Sequence, residues 1–267
     1  MRLSPFDPLD AILSPAPAQK RVSFLSLCPY AHRGLHGRLA HGRGPIENSI
    51  SAFRAALDGG FGIELDVQMS RDGVAMVFHD AQLDRLTRET GPVALRMQAE
   101  LSAIALRGTT DTIPTLSDVL ALVETKAVIL IEIKAEHGVV GPLCLAVRRA
   151  LEGYIGPVAV MSFNPQVGHW FLTHAPRIVR GLVVTEQDAD TRIDRLKKAV
   201  IRRLSLWRAK PDFLAYDIRD FPSRFAGGQR KRGLPVLTWT VREAHQEQAA
   251  ATYADQIIFE RPRGDAP

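Results

Sequence analysis

The sequence predicts an α/β fold, a closed (βα)8 barrel with one additional hairpin strand and an N-terminal extension. The chain has 267 residues, of which 46% are apolar and 24% charged, and this composition suits one large globular domain. Apolar runs alternate with helix-like patterns, as in a parallel sheet covered by helices, and at this length a closed barrel fits better than an open sheet. The runs span 24–31, 61–69, 74–78, 127–133, 157–163, 178–184, 212–216, 234–241 and 256–259.

The first 22 residues are predicted to be an arm that precedes a single barrel domain over 23–267. Four prolines in this segment favour an extended backbone. Its apolar patch LDAIL is too short and too acidic for the core of a signal peptide, and no apolar run of the chain reaches the length of a membrane span. We therefore expect a cytoplasmic protein, in which Cys28 and Cys144 are buried, reduced thiols.

Three segments between the apolar runs have the pattern of amphipathic helices. In 49–57, SISAFRAAL, the large apolar residues share one face, with Asn48 or Ser49 as the N-cap. The segment 115–124, TLSDVLALVE, begins with a capping-box pattern. The third helix is predicted over 141–153, GPLCLAVRRALEG.

The additional strand is predicted within the stretch 61–80. Only the residues SRDG separate its two apolar runs, which is the length of a hairpin turn and too short for a helical crossover. If the turn centres on Arg71–Asp72, antiparallel pairing sets Glu64 opposite, or nearly opposite, His79.

Three carboxylates stand inside the predicted core strands. Glu64 and Asp66 are two residues apart and share one face, and Glu132 shares a face with Lys134 in the same way. Near the carboxyl end of a barrel strand, such residues point into the mouth where barrel active sites lie. Three buried carboxylates repel one another, and a hard divalent cation relieves that repulsion. The alternative is salt bridging with Lys134 and Arg33.

Two histidines end apolar runs near this cluster. His32 is followed by Arg33, and His79 is followed by Asp80. Because imidazole titrates near neutral pH, the pair is typical of acid–base catalysis, and the Arg33 guanidinium suits a phosphate or a carboxylate. The Gly/Arg-rich loop 35–44 is interpreted as a solvated loop, with a lid over an anionic substrate as the alternative.

Nine short motifs stand in order along nearly the whole chain, from about residue 31 to residue 262. They are AHRG (31–34), PIENSISAF (45–53), IELDVQMSRDG (63–73), VFHD (77–80), LDRLTRETG (83–91), IPTLSDVL (113–120), ILIEIK (129–134), MSFNP (161–165) and LTWTVR (237–242). The ordered set resembles the glycerophosphodiester phosphodiesterase family.

The resemblance implies a TIM barrel that hydrolyses glycerophosphodiesters to sn-glycerol 3-phosphate and an alcohol. In the family mechanism, the neighbouring glycerol hydroxyl attacks phosphorus and water opens the resulting cyclic phosphate. The implied site has Glu64, Asp66 and Glu132 on one divalent ion, Mg²⁺ or Ca²⁺, His32 and His79 as general acid and base in either order, Arg33 and Lys134 on the substrate phosphate, and Glu47 and Asn48 in support.

The chain departs from the family pattern at three places, none of them a histidine or an implied metal ligand. The loop 35–44 lengthens a link that is short in the family, and Ser49 stands where the family has threonine. Phe259–Glu260 stands where the family favours Thr-Asp. The loop and the C-terminal change bear on the head-group preference.

The segment 192–210 is predicted to be a basic amphipathic helix, with eight Lys/Arg and one acid. It is either a barrel helix with a solvated charged face or a contact in which Trp207 and the cations rest on an anionic membrane surface, which would place the protein peripherally at the inner membrane. A nucleic-acid partner is not expected, because no aromatic platform accompanies the charge. The apolar positions at helical spacing are Ile193, Leu196, Val200, Leu204 and Trp207.

Other activities remain open from the sequence. A lysophospholipase D or phospholipase-C-like activity would use the same site on a lipidic substrate. A catalytically inactive, membrane-associated binding module would tolerate loss of a ligand or a histidine, and the chain retains them all. A sugar-processing barrel would explain the paired carboxylates but not the two strand-end histidines.

Overall fold

The structure, a computed structural model, describes residues 7–39, 42–135, 139–187 and 191–260. The described strands are β1 (Tyr30–Ala31), β2 (Arg38–Leu39), β3 (Gly42–Arg43), β4 (Gly62–Met69), β5 (Ala75–Val77), β6 (Ile129–Ile133), β7 (Val158–Ser162), β8 (Val179–Val184), β9 (Phe213–Asp217), β10 (Val236–Val241) and β11 (Gln256–Phe259). The described α-helices are α1 (Asp7–Leu13), α2 (Gln19–Val22), α3 (Ile50–Asp58), α4 (Gln98–Leu101), α5 (Leu116–Val123), α6 (Gly141–Ala150), α7 (Pro165–His174), α8 (Arg192–Ala209), α9 (Arg224–Lys231) and α10 (Ala244–Tyr253).

Eight parallel strands form a closed barrel, and the predicted fold class is confirmed. The strand order is β1-β11-β10-β9-β8-β7-β6-β4-β5, and an additional pairing of β1 with β4 closes the ring and leaves β5 outside it. Each of the nine predicted runs contains one of these strands. The first run is a strand only at its end, because Ser23–Ser26 form a 3₁₀ turn and Pro29, which lacks an N–H to donate, precedes the short β1.

The described residues fall into two compact units, drawn from Met1–Leu27 with Ala159–Ile258 and from Cys28–Val158 with Phe259–Pro267. The predicted division into an arm and one barrel domain stays a prediction. In the second unit, β4 pairs in parallel with β1 and β6. In the first unit, β8, β9 and β10 pair in parallel around a core that includes Leu182, Leu206, Leu214, Tyr216 and Phe225.

The predicted hairpin forms, but its register differs from the expectation by one residue. Val67 pairs with Val77 in the antiparallel β4–β5 ladder, so the turn centres on Asp72. The ladder ends at Val77, and the partner of Glu64 on the neighbouring strand β6 is Leu130. Glu64 therefore has no ladder partner on β5 and the exact pairing with His79 does not form, although the register differs from the expected one by a single residue and His79 follows the ladder by two.

Helices α3 and α5 each begin at an N-cap residue whose side chain accepts a backbone hydrogen bond. Ser49 is the N-cap of α3 and accepts a hydrogen bond from Ala52 N, so of the two candidate caps the serine is used. The capping box of α5 is present as predicted, with the Thr115 hydroxyl accepting from Asp118 N. The third predicted helix is α6.

The N-terminal segment is not extended where the structure describes it. Pro8 lies in the first turn of α1, where its missing N–H is no loss, and Pro15 lies between α1 and α2. The carboxylate of Asp10 is fully buried and accepts hydrogen bonds from Trp207 Nε1 and Gln229 Nε2, both at 2.8 Å. The helix α1 is thus held to its own unit by a buried polar contact.

The two cysteines are free thiols, as predicted, although only one is buried. Cys144 is buried within α6, whereas Cys28 is partly exposed. Among the described helices, none combines the length and the apolar character that a membrane span requires.

Helix α8 does not expose the face that the sequence pattern predicts. Leu196 and Val200 are exposed, and Lys198, Arg202 and Arg203 are partly buried against the protein. Helix α8 is a barrel helix between β8 and β9, and Lys197 and Arg208 are solvated as that interpretation expects, but the apolar face is not turned inward. Of the predicted apolar positions, Ile193, Leu196, Val200 and Leu204 face solvent. Trp207, expected on a membrane, packs against the core of its unit.

We predict that Asp10→Leu lowers the free energy of unfolding by about 2–4 kcal/mol, because it leaves the buried donor of Gln229 and the partly buried donor of Trp207 without this acceptor. Chemical denaturation measures this change. Ile12→Gln, on the exposed side of the same helix, is the matched control and should change stability by less than about 0.5 kcal/mol. An equally small effect of Asp10→Leu would show that α1 is not docked as described.

Candidate functional site

Three carboxylates meet on two neighbouring strands, as the sequence predicts. Glu64 and Asp66 lie on β4 and Glu132 lies on β6, and the parallel register sets Asp66 beside Glu132. All three are buried, and each can offer an oxygen that lies within 4.8 Å of the other two. The cluster has the oxygen chemistry and the size of a site for one hard cation.

Two cations lie against this cluster. Lys134 Nζ is 2.6 Å from Glu132 Oε1 and 2.9 Å from Asp66 Oδ1, and Arg33 Nε is 3.1 Å from Asp66 Oδ2. The salt bridges considered as the alternative to a metal are therefore present. Two cations leave one of three negative charges uncompensated, and Glu64 Oε1 is buried with no hydrogen-bond partner among the described residues.

The pKa values of the carboxyl groups diverge. Burial and the Asp66 charge raise the pKa of Glu64 to about 8. Burial also raises the pKa of Glu132, against the opposing charge of Lys134. For Asp66, Lys134 and Arg33 outweigh burial and hold the pKa below its usual range. Glu64 is thus the carboxylate that most lacks a positive partner.

A tight turn after β1 places Arg33 beside Glu64. Arg33 and Gly34 have positive φ angles of 56° and 79°, and a side chain on Gly34 would meet the Ala52 Cβ at 2.8 Å, so only glycine fits there. The Arg33 N–H donates to Glu64 Oε2 at 3.0 Å, and Arg33 O accepts from Asn48 N at 2.8 Å. The turn is therefore fixed to both the carboxylate cluster and the start of α3.

Asn48 contacts this cluster directly and Glu47 contacts it through Arg33, while their supporting role stays a prediction. Asn48 is buried, has a φ of 57°, and donates from Nδ2 to Asp66 Oδ2 at 2.9 Å. Asparagine tolerates this left-handed backbone better than most residues. Glu47 Oε1 accepts from Arg33 Nη1 at 2.7 Å, so it orients the guanidinium.

Each of the two histidines is paired with a carboxylate through Nδ1. His32 Nδ1 is 2.5 Å from Glu260 Oε1, and His79 Nδ1 is 2.6 Å from Asp80 Oδ1. His32 Nε2 is 3.8 Å from the nearest Glu64 oxygen. Burial opposes protonation of His32, but the charges of Glu64 and Glu260 outweigh it and raise its pKa. A carboxylate on Nδ1 fixes the ring and leaves Nε2 for proton exchange.

Sequence reasoning missed the partners of the predicted site residues. Glu260 was interpreted only as a departure from the family pattern, and it contacts His32. Arg85 was not singled out, although its guanidinium donates to Asp80 Oδ2 at 2.6 Å and to Glu47 Oε1 at 2.7 Å. Arg85 does stand five residues after Asp80 within a quoted motif, which was the only available signal.

The loop 35–44 remains untested as a lid. Residues 40–41 lie outside the described residues, and β2 and β3 form a short antiparallel pair on either side of them. His36, in the same loop, is partly buried, and its Nε2 lies 4.0 Å from Glu260 Oε1. One end of the loop therefore lies close to the His32–Glu260 pair.

A family model described as the glycerophosphoryl diester phosphodiesterase family matches residues 32–263. A glycerophosphodiester phosphodiesterase from Caldanaerobacter subterraneus subsp. tengcongensis is 29% identical over 252 residues, which cover 87% of this chain and 93% of that protein.

Solved structures support the same fold. A phosphodiesterase from Oleispira antarctica, in complex with the product sn-glycerol-3-phosphate, aligns with a TM-score of 0.73 at 22% identity, covering 88% of this chain and 94% of that one. A putative glycerophosphoryl diester phosphodiesterase from Silicibacter pomeroyi also gives 0.73 at 22% identity, over 91% and 94% of the two chains. Because the family model spans nearly the whole sequence, the chain belongs to the glycerophosphoryl diester phosphodiesterase family.

Proposed function

We propose that this protein is a metal-dependent enzyme that hydrolyses glycerophosphodiesters to sn-glycerol 3-phosphate and an alcohol. Family membership supports the reaction class. The observation that carries the proposal is the buried cluster of three carboxylates, next to a histidine whose Nδ1 is held by a further carboxylate. A purely structural role would leave such a concentration of buried negative charge without a purpose.

One divalent ion would be held by Glu64, Asp66 and Glu132. The buried, unpartnered oxygen of Glu64 supports this assignment, because a hard cation prefers carboxylate oxygens. When bound, the ion supplies electrostatic stabilisation of the charge that develops on the phosphoryl oxygens. Carboxylate sites of this kind take either Mg²⁺ or Ca²⁺.

The charge of the site explains why substrate binding requires the ion. Without it, Arg33 and Lys134 are held in ion pairs with Asp66, Glu132 and Glu47, and cations neutralised in this way attract an anionic phosphodiester only weakly. With two added positive charges, the site attracts the singly charged phosphodiester. We assign Arg33 and Lys134 to stabilising the phosphoryl oxygens, since these are the cations that lie against the cluster.

His32 and His79 are assigned to the two proton transfers. One removes the proton of the attacking hydroxyl, which the family resemblance identifies as the neighbouring glycerol hydroxyl. The other protonates the oxygen of the leaving alcohol. The two rings are held alike, each by a carboxylate on Nδ1, and this pairing suits either order of roles.

A lysophospholipid is the second candidate substrate, with the same site acting as a lysophospholipase D. The observation that favours it is the exposed apolar face of α8, which suits contact with a lipid surface. The inactive binding module is disfavoured, because all the predicted catalytic residues are present. The cytoplasmic location expected from the sequence stays a prediction.

We predict metal-dependent release of sn-glycerol 3-phosphate from glycerophosphocholine and glycerophosphoethanolamine. Release is measured with Mg²⁺, with Ca²⁺ and with a chelator. The chelator should abolish it, because Arg33 and Lys134 are then both paired with carboxylates and the positive charge of the ion no longer attracts the phosphate. Unchanged release in the chelator would contradict the metal assignment. Hydrolysis of lysophospholipids alone would select the second candidate.

His32→Ala and His79→Ala should each lower kcat by about 10²–10⁴-fold, because each removes one general acid–base group. Steady-state kinetics give the loss, and circular dichroism checks that the fold is retained. His245→Ala is the matched control, since this histidine is exposed on α10 and should leave kcat unchanged. Near-normal turnover in either of the first two variants would refute the acid–base assignment.

A further inference from the structure

Helix α8 exposes a continuous apolar stripe. The stripe follows the helical repeat along most of an 18-residue helix, and its side chains are between 52% and 69% exposed. A surface helix ordinarily directs such a stripe to the core and its charges to water. The exposed residues are Ile193, Leu196, Val200, Ile201 and Leu204.

On the opposite face of α8, the lysine and arginine side chains contact other residues of the protein. Lys198 Nζ donates to Gln187 O at 2.8 Å, and Arg202 Nη1 is 3.1 Å from Glu186 Oε2. The guanidinium groups of Arg202 and Arg203 lie over the Phe225 ring, at 5.1 Å and 5.7 Å from its centroid. These contacts fix the rotation of the helix, so the apolar stripe cannot turn inward without breaking them.

Helix α1 lies against α8 and exposes apolar side chains of its own. Asp10 accepts from Trp207 at 2.8 Å and joins the two helices, while Leu9 and Ile12 of α1 are exposed. We name the seven exposed side chains the α1–α8 surface. Its members are Leu9, Ile12, Ile193, Leu196, Val200, Ile201 and Leu204.

We propose that the α1–α8 surface docks on an anionic lipid bilayer, with its apolar side chains in the interfacial region. Exposed Lys197, Arg208 and Lys210 lie on or just beyond α8, where they can meet lipid phosphates. Asp194 is the only acid in 192–210.

Charge decides between a bilayer and a second copy of the chain. A two-fold dimer through this surface would set one basic helix against another, with Asp194 as the one acid against eight Lys/Arg in 192–210 to offset the repulsion. An anionic bilayer provides an apolar region for the exposed aliphatic side chains and negatively charged headgroups for the lysine and arginine side chains.

The test is co-sedimentation with vesicles of phosphatidylglycerol and phosphatidylcholine in equal parts, and with phosphatidylcholine alone. The wild type should bind the anionic vesicles more tightly. Leu196→Gln with Val200→Gln should weaken that binding about tenfold or more, because two aliphatic side chains no longer enter the interface. Turnover of water-soluble glycerophosphocholine should stay unchanged in this variant, so failure of the docking proposal is separate from failure of the proposed reaction.

The matched control is Leu95→Gln with Ile155→Gln, two exposed apolar residues outside the α1–α8 surface. This variant should bind vesicles like the wild type. Equal binding by wild type and the α8 variant would overturn the proposal. The proposal would also be overturned if the wild type does not bind vesicles and sedimentation velocity shows it to be a dimer, while the α8 variant is a monomer.

Discussion

Charge compensation for three carboxylates buried side by side is the constraint on which the site depends. The parallel register of β4 and β6 sets Asp66 beside Glu132, and alternation along β4 adds Glu64 on the same face. Burying one such group costs several kcal/mol unless it is paired, so the surrounding residues are arranged to supply positive charge and donors. Lys134 and Arg33 supply the charge.

The same constraint connects the carboxylate cluster to His79 through a network of ion pairs. Glu47 accepts hydrogen bonds from Arg33 on one side and from Arg85 on the other, and Arg85 also holds Asp80, the partner of His79. The positions of the cluster and of the His79 ring are therefore coupled through side chains from separate loops. Such a network fixes a catalytic geometry because each member limits the rotamers of the next.

The sequence predicted the fold and the set of clustered residues well, because both follow from local periodicity. Nine apolar runs with helix patterns between them define the barrel, and the two-residue spacing of Glu64 and Asp66 defines a shared face. The hairpin register was missed by one residue, because it depends on the turn geometry around Gly73, whose φ is 81°. Glu260 was missed because its contact with His32 joins distant parts of the chain. The contact of Arg85 with Glu47 is also distant in sequence, although its contact with Asp80 spans only five residues.

The orientation of α8 illustrates the same limit. The sequence shows an apolar and a basic face, but tertiary contacts determine which of the two faces is turned toward the protein. Here Arg202 lies over the Phe225 ring and pairs with Glu186, so the apolar face of the helix is exposed to solvent.

The most direct test of the account is calorimetric titration of the purified protein with Mg²⁺ and with Ca²⁺, accompanied by thermal unfolding. If the cluster lacks a cation, one divalent ion binds per chain and raises the unfolding temperature, with a stabilisation of about 2.7 kcal/mol at a hundredfold excess over Kd. Glu64→Gln should weaken that binding. If neither ion gives a binding heat or raises the unfolding temperature, Lys134 and Arg33 alone compensate the carboxylates. That result would contradict the presence of a cation site.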